Sequence, residues 1–145
     1  MTSLIGVDLT PFAFLEEQQL WQRIKNFEID NPKAKEPFSQ RLAKDKNWEL
    51  DFTKRVIDEY LKFCFLAVSI GKCTPSLTVD QAWHLHLIYS KNYWKEFCPN
   101  VLEYDLHHCP GTGEDNEKKI FEERYTNTLG YYRQYFGGDP PVDIW

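Results

Sequence analysis

The sequence predicts a single all-α domain, a bundle of four to six helices with a long loop that carries histidines. Three observations indicate this fold class. Apolar residues recur at helical spacing along most of the chain, strand-like alternation is almost absent, and turns rich in Pro and Gly separate the helical lengths. The chain of 145 residues is long enough for one continuous core, and no repeat or linker divides it. We therefore expect residues 1–145 to form one helical domain.

Two helices are predicted before the middle of the chain. Thr10 and Pro11 form a plausible N-cap and first-turn pair for a helix over roughly 11–28. This helix stops at the AspAsnPro sequence of residues 30–32, which disfavours continuation. A short basic helix is expected over about 37–46.

The next two helices have clearer boundaries. Apolar residues from Phe52 onward follow helical spacing as far as Gly71, a typical residue just after a helix C-terminus. Residues 63–70 are apolar nearly all round, which predicts that this is the central helix. Thr78 and Gln81 form a capping-box pattern, which predicts that the following helix starts at Thr78.

The last third of the chain predicts a short helical segment, a loop and a long final helix. The short segment begins near Ser90 and ends near Cys98, and the loop covers residues 99–116. The final helix ends before Gly137. The apolar tail, residues 140–145, is expected to fold back onto the bundle, because its Ile and Trp side chains are unfavourable in water.

Composition and charge exclude several classes of partner. The net charge of −5 provides no basic surface for nucleic acid or for an anionic membrane. No apolar run is long enough to span a bilayer, and the first residues lack the features of a secretory signal. We therefore expect a cytoplasmic protein with four reduced cysteines, whose partner is another protein or a small molecule.

The histidines and one cysteine predict a metal site. All four histidines lie between His84 and His108, and Cys98 lies in the same window. Imidazole and thiolate are the side chains that bind borderline-soft metals near neutral pH. The expected metal is zinc or another divalent transition metal. The predicted ligands are His84, Cys98, His107 and His108.

Helix geometry assigns different roles to the two histidines of the TrpHisLeuHis sequence. His84 and His86 are two residues apart, so a helix projects them to opposite sides. His86 is expected to form a buried hydrogen bond at the edge of the core, or to be an alternative ligand. Asp80 precedes His84 by one turn, where its carboxylate can orient the imidazole or share the metal. We expect His84 within about 5 Å of His107 or His108.

Ordered sequence blocks between residues 45 and 145 also indicate a family. The blocks are ProSer (75–76), ValAspGlnAlaTrpHisLeuHisLeu (79–87), TyrTrp with PheCys (93–98), LeuHisHis (106–108) and ProProValAspIleTrp (140–145). Together they resemble the glycine-rich domain-containing-protein-like family, a domain that occurs alone in bacteria and within larger plant proteins.

The resemblance implies an all-helical domain and no particular reaction. It also implies that His84, His86, Cys98 and His107 occupy positions of the family pattern. The chain departs from that pattern in two respects. It has only seven glycines and lacks the glycine-rich region that names the family, and Cys109 stands where a cysteine is not expected.

Three classes of function remain open at this point. The first is a small metal-binding helical domain, with the metal either structural or carrying an open position. The second is a small enzyme in which His84, oriented by Asp80, acts as a general base or metal ligand in an aromatic-lined pocket. The third is a protein-interaction adaptor with structural histidines and a binding surface formed by aromatic residues and the tail.

Overall fold

A computed structural model describes residues 14–109 and 111–145, and within these residues the chain forms six helices and no strand. The predicted all-α class is therefore confirmed. The predicted cap at Thr10 and Pro11 lies outside the described residues. The helices are α1 (Leu15–Asn26), α2 (Phe38–Lys46), α3 (Leu50–Ser69), α4 (Leu77–Ile88), α5 (Ser90–Asn92, continuing as a π-helix over Tyr93–Leu102) and α6 (Glu117–Phe136).

The centre of the molecule is α3, as predicted from its apolar composition. It contacts α1, α2, α4, α6 and the π-helical part of α5. Its side chains from Phe63 to Leu66 are completely buried, so this part of the helix is covered on all sides. Each such residue contributes about 1.5–3 kcal/mol through burial of apolar surface. The core around α3 provides a rigid support for α4 and α5, which carry most of the predicted site residues.

The start of α4 differs from the prediction. The N-cap is Ser76, not Thr78, and the Ser76 hydroxyl accepts a hydrogen bond from the backbone N–H of Val79 at 3.0 Å. Both residues are favourable caps, and Ser76 has the extended backbone that a cap requires. The predicted pairing of Thr78 with Gln81 is therefore wrong by two residues. Asp80 lies in the first turn of α4, where the helix dipole stabilises a carboxylate.

The π-helical part of α5 extends beyond the predicted boundary. The loop was expected to begin at residue 99, but Pro99 lies inside the π-helix and the loop begins after Leu102. In a regular α-helix the Pro99 ring would collide with the carbonyl of Lys95. The wider turn of a π-helix removes this collision. The helix ends at Leu102, and the next residue, Glu103, has a left-handed backbone with φ of 54°. Phe97 and Cys98 consequently face the core.

The predicted docking of the C-terminal tail is observed. Ile144 is buried, and the indole N–H of Trp145 donates a hydrogen bond to Glu59 Oε1 on α3 at 2.9 Å. The hydroxyl of Ser76 donates to the carbonyl of Ile144 at 2.7 Å, so the tail also contacts the start of α4. Among the described residues, no helix combines the length and apolar composition that a bilayer span requires.

Candidate metal centre

Three side chains from two separate segments converge at one point on the surface. Asp80 and His84 lie one turn apart on α4, and His108 comes from the loop between α5 and α6. The Nε2 atoms of His84 and His108 are 3.1 Å apart, which is within the distance expected from the sequence. Asp80 Oδ1 is 2.7 Å from His108 Nε2, and Asp80 Oδ2 is 3.2 Å from His84 Nε2.

The separations between these atoms are somewhat shorter than those between the ligands of one metal ion. In a tetrahedral zinc site with bonds of about 2.0–2.2 Å, neighbouring ligand atoms lie about 3.3–3.5 Å apart. The atoms of Asp80, His84 and His108 are closer than this, by up to about 0.8 Å for Asp80 Oδ1 and His108 Nε2, so side-chain rotations must open the space for an ion. Asp80, His84 and His108 form the one group of potential metal ligands found among the described residues.

A buried hydrogen-bond chain fixes the loop that carries His108. The indole N–H of Trp83 donates to the hydroxyl of Tyr93 at 2.9 Å, and that hydroxyl donates in turn to the carbonyl of Leu106. Trp83 also packs its ring against the imidazole of His108, with 4.3 Å between the ring centroids. Because Trp83 is adjacent to His84 on α4, the same helix turn supplies one ligand and positions the other.

Cys98 and His107 are placed outside this convergent group. Cys98 is completely buried among core side chains, and burial raises the pKa of its thiol, so the metal-binding thiolate is disfavoured. His107 points outward and packs its ring against Trp94, with 4.9 Å between the ring centroids. The structure therefore brings together His84 and one of the two loop histidines, and adds Asp80 as a direct partner.

His86 has the buried position expected from helix geometry. Its Nδ1 lies 2.7 Å from the hydroxyl of Tyr60, and its Nε2 lies 2.7 Å from Asn92 Oδ1. Since the Asn92 oxygen can only accept, Nε2 carries the proton and Nδ1 accepts from Tyr60. Burial lowers the pKa of His86 to about 4, which keeps the ring neutral. His86 thus packs inside the core, away from His84.

A cleft of about 630 Å³ lies beside the convergent group, between α4, the first turns of α6 and the loop between α5 and α6 (residues 103–116, the histidine loop). Asp80 and His108 line this cleft, whereas His84 lies at the edge of the group that faces solvent, with 54% of its side chain exposed. The residues that α6 adds to the wall are Glu117, Lys118, Ile120, Phe121 and Arg124. The candidate centre is therefore open to both solvent and cleft.

The cleft residues of α6 were not identified from the sequence. Lys118 and Arg124 belong to an ordinary charged helix surface, and no local spacing connects them to His108. Only the fold, which places the first turns of α6 across the cleft from α4, brings them near the candidate centre. The direct role of Asp80, in contrast, has a local signal, because a carboxylate one turn before a histidine lies on the same helix face.

No protein-family model, no curated protein and no solved structure matches the chain. The geometry and chemistry of the residues around Asp80, His84 and His108 are the guide to function.

Proposed function

We propose that this protein is a metal-binding helical domain that holds a divalent transition metal, zinc, through Asp80, His84 and His108. The observation that carries this proposal is the convergence of three ligand atoms within 4.8 Å of one another. Two imidazoles and a carboxylate are suitable ligands for zinc and for ferrous iron, and a site of this kind binds zinc more tightly than ferrous iron.

A bound cation also satisfies the three side chains together. Without it, two imidazole nitrogens and a carboxylate face one another at 2.7–3.2 Å and must share protons. A divalent ion accepts one lone pair from each side chain and offsets the charge of Asp80. Because His108 is already held against Trp83, its side chain loses less conformational entropy when the metal binds.

The open coordination position favours a second candidate function, metal-assisted catalysis. Structural zinc sites usually have four protein ligands, whereas catalytic sites have three ligands and a water molecule. The group formed by Asp80, His84 and His108 has three, and two of these residues line the cleft. A water on the metal would become a nucleophile near neutral pH.

The adaptor hypothesis has less support. Its binding surface combined exposed aromatic residues with the apolar tail, and the tail is docked with Ile144 buried. The cytoplasmic location stays a proposal, which the four free cysteines support because cytosolic thiols remain reduced.

Membership of the glycine-rich domain-containing-protein-like family also stays a proposal. Two of the blocks that carry the resemblance, residues 79–87 and 106–108, supply all three members of the convergent group. In this chain the two blocks therefore lie at the same candidate metal centre.

Zinc titration of protein purified without a histidine tag tests the proposal. Calorimetry on chelator-treated protein should give one zinc per chain. His108→Ala and Asp80→Asn should lower the affinity by more than about 100-fold, because losing an outer partner alone typically costs 10–100-fold.

The matched control is His107→Ala, which changes the neighbouring exposed histidine and should leave zinc affinity unchanged. Elemental analysis of the protein as isolated identifies the metal that it acquires in cells. A wild-type protein that binds no metal, or an equal loss of affinity in the His107 and His108 variants, would overturn the assignment.

A further inference from the structure

The cleft beside the candidate centre combines three kinds of chemistry on its walls. Asp80 and His108 contribute metal ligands, α6 contributes cations, and both sides contribute apolar side chains. Its volume of about 630 Å³ lies within the range of about 300–1,000 Å³ typical of small-molecule sites. We infer that the cleft binds a small apolar carboxylate, with a second oxygen group of the same ligand completing the metal coordination. This inference rests on the proposed metal function.

The charges on the cleft walls favour an anion once a metal is bound. The carboxylates of Asp80 and Glu117 offset the cations of Lys118 and Arg124, so with neutral histidines the lining has no net charge. A divalent ion at Asp80 leaves an excess of two positive charges. This local excess contrasts with the net charge of −5 for the whole chain. Metal binding therefore creates an anion site on an acidic protein.

The two cations are available to a ligand. In the part of the chain that the structure describes, neither Lys118 nor Arg124 forms an ion pair with a protein carboxylate. The planar guanidinium of Arg124 suits a carboxylate, which it can bind with two parallel hydrogen bonds. We therefore assign the remote carboxylate of the ligand to Arg124, with Lys118 as an additional charge.

Glu117 does not compete with the ligand for these cations, because its carboxylate is already occupied. It accepts hydrogen bonds from the backbone N–H groups of Thr112 at 2.5 Å and of Gly113 at 3.2 Å, and these bonds lower the pKa of Glu117. Gly111 leaves room for this carboxylate, because a Cβ atom there would lie 2.8 Å from Glu117 Oε1 and would displace the end of the Glu117 side chain. These hydrogen bonds hold the Glu117 carboxylate against the loop, away from Lys118 and Arg124.

Apolar side chains on the cleft walls favour a ligand that also has an apolar body. Leu77, Ile120 and Phe121 line the cleft and remain 79%, 39% and 51% exposed, although most large apolar residues of the chain are covered. Trp83 provides an apolar floor next to the metal ligands. A phenyl or branched alkyl group placed between the metal-directed oxygen and the remote carboxylate would cover these surfaces.

A calorimetric experiment with 2-benzylsuccinate tests the inference, because this probe carries two carboxylates and one phenyl group. We expect it to bind to the zinc-loaded full chain and to bind about tenfold more weakly to the zinc-free chain. Arg124→Gln, Lys118→Gln and Phe121→Ser should each weaken binding by about tenfold, since a charge-assisted hydrogen bond or a buried aromatic contact commonly has this effect.

Matched controls come from the same helix. Lys119→Gln and Arg133→Gln remove exposed cations that do not line the cleft, and both should leave the affinity unchanged. Inorganic phosphate should compete weakly. Competition as strong as that of benzylsuccinate would indicate a simple anion site and would overturn the apolar part of the inference.

The zinc titration separates the two proposals. A chain that binds zinc but not benzylsuccinate, or binds it equally well after Arg124→Gln, would overturn the ligand assignment and leave the metal site intact. A chain that binds no zinc would refute the proposed function itself. Circular dichroism of each variant confirms that the loss of binding does not come from unfolding.

Discussion

His84 and His86 lie two positions apart on α4 and have opposite environments. His84 is half exposed beside Asp80 and His108, whereas His86 is 1% exposed and has both ring nitrogens hydrogen-bonded within the core. Aromatic rings on α2, α3 and α5 pack against it, including that of Phe97 at 4.8 Å between ring centroids. The hydrogen bonds offset the cost of burying a polar ring.

The burial of His86 predicts a loss of stability in acid. Its pKa is about 4 when folded and about 6.5 when unfolded, so the unfolded state binds the proton more readily. The contribution of neutral His86 to the free energy of unfolding should be complete above pH 6.5. It should decline by about 3 kcal/mol in total as the pH falls toward 4. Urea unfolding between pH 4 and pH 7.5 measures this change.

The matching variant is His86→Gln, which lacks the titrating ring. This variant should be less stable at neutral pH and should lose less stability between pH 6.5 and pH 4 than the wild type. Parallel profiles for the two proteins would mean that other groups cause the acid sensitivity.

At the scale of single elements, the histidine loop depends on one hydroxyl. Tyr93 on α5 accepts from the indole of Trp83 and donates to the carbonyl of Leu106, two residues before His108. Tyr93→Phe leaves both partners buried without this hydroxyl, which should lower the free energy of unfolding by about 1–3 kcal/mol. It should also weaken zinc binding, because His108 loses its fixed position.

Chemical unfolding and zinc calorimetry measure both effects of Tyr93→Phe. Tyr104→Phe is the control, since Tyr104 lies at the start of the same loop with 54% of its surface exposed. If Tyr93→Phe lowered stability and left zinc affinity at the wild-type value, the loop would not need this anchor to present His108.

The start of α4 provides a second prediction. Ser76 caps the helix and donates to the carbonyl of Ile144, so Ser76→Ala removes two hydrogen bonds and should cost about 1–2 kcal/mol of folding free energy. Thr78→Ala, at the position that the sequence pattern favoured as the cap, should change stability by less than about 0.5 kcal/mol. Thermal unfolding of both variants checks the cap, and a larger effect at Thr78 would contradict it.

The sequence predicted helix positions well because helical spacing is a local property. The boundaries of α2 and the central position of α3 follow directly from the apolar pattern. The choice between Ser76 and Thr78 depends on the backbone ahead of the helix, and the π-helix around Pro99 depends on packing against α1 and α3. Neither of these features has a signal in residue spacing.

The candidate site could be predicted only in part, for the same reason. Asp80 and His84 are connected by one helical turn, which is visible in the sequence. Whether Cys98 or His108 faces them depends on how α5 turns and where its loop returns, and these are long-range features. The structure turns Cys98 into the core and places His108 above Trp83.

At the scale of the whole molecule, the tail connects distant parts of the chain. Glu59 on α3 is nearly buried, and its carboxylate accepts hydrogen bonds from Tyr132 on α6 and from Trp145. Arg55 and Asp143 form a two-pronged ion pair at 2.8 and 3.0 Å beside them. The tail therefore joins α3, α6 and the start of α4.

Deletion of residues 140–145 should lower the melting temperature by several degrees. The deletion exposes the surface beneath Ile144 and removes a partner from the carboxylate of Glu59. A loss of 1 kcal/mol shifts the melting temperature of a domain of this length by about 2–8 °C. Differential scanning calorimetry measures the shift. Val142→Ala is the control, since Val142 is 92% exposed and should have no effect, and an unchanged melting temperature after the deletion would show that docking adds no stability.

Asp80 belongs to both the candidate metal centre and the cleft wall, and this shared membership has a thermodynamic consequence. If the metal increases the affinity for an anionic ligand, the ligand must increase the affinity for the metal by the same factor. A three-residue centre that exchanges its ion with the surroundings would then retain it while the cleft is filled. Ligand supply would set how much metal the protein keeps when metal is scarce.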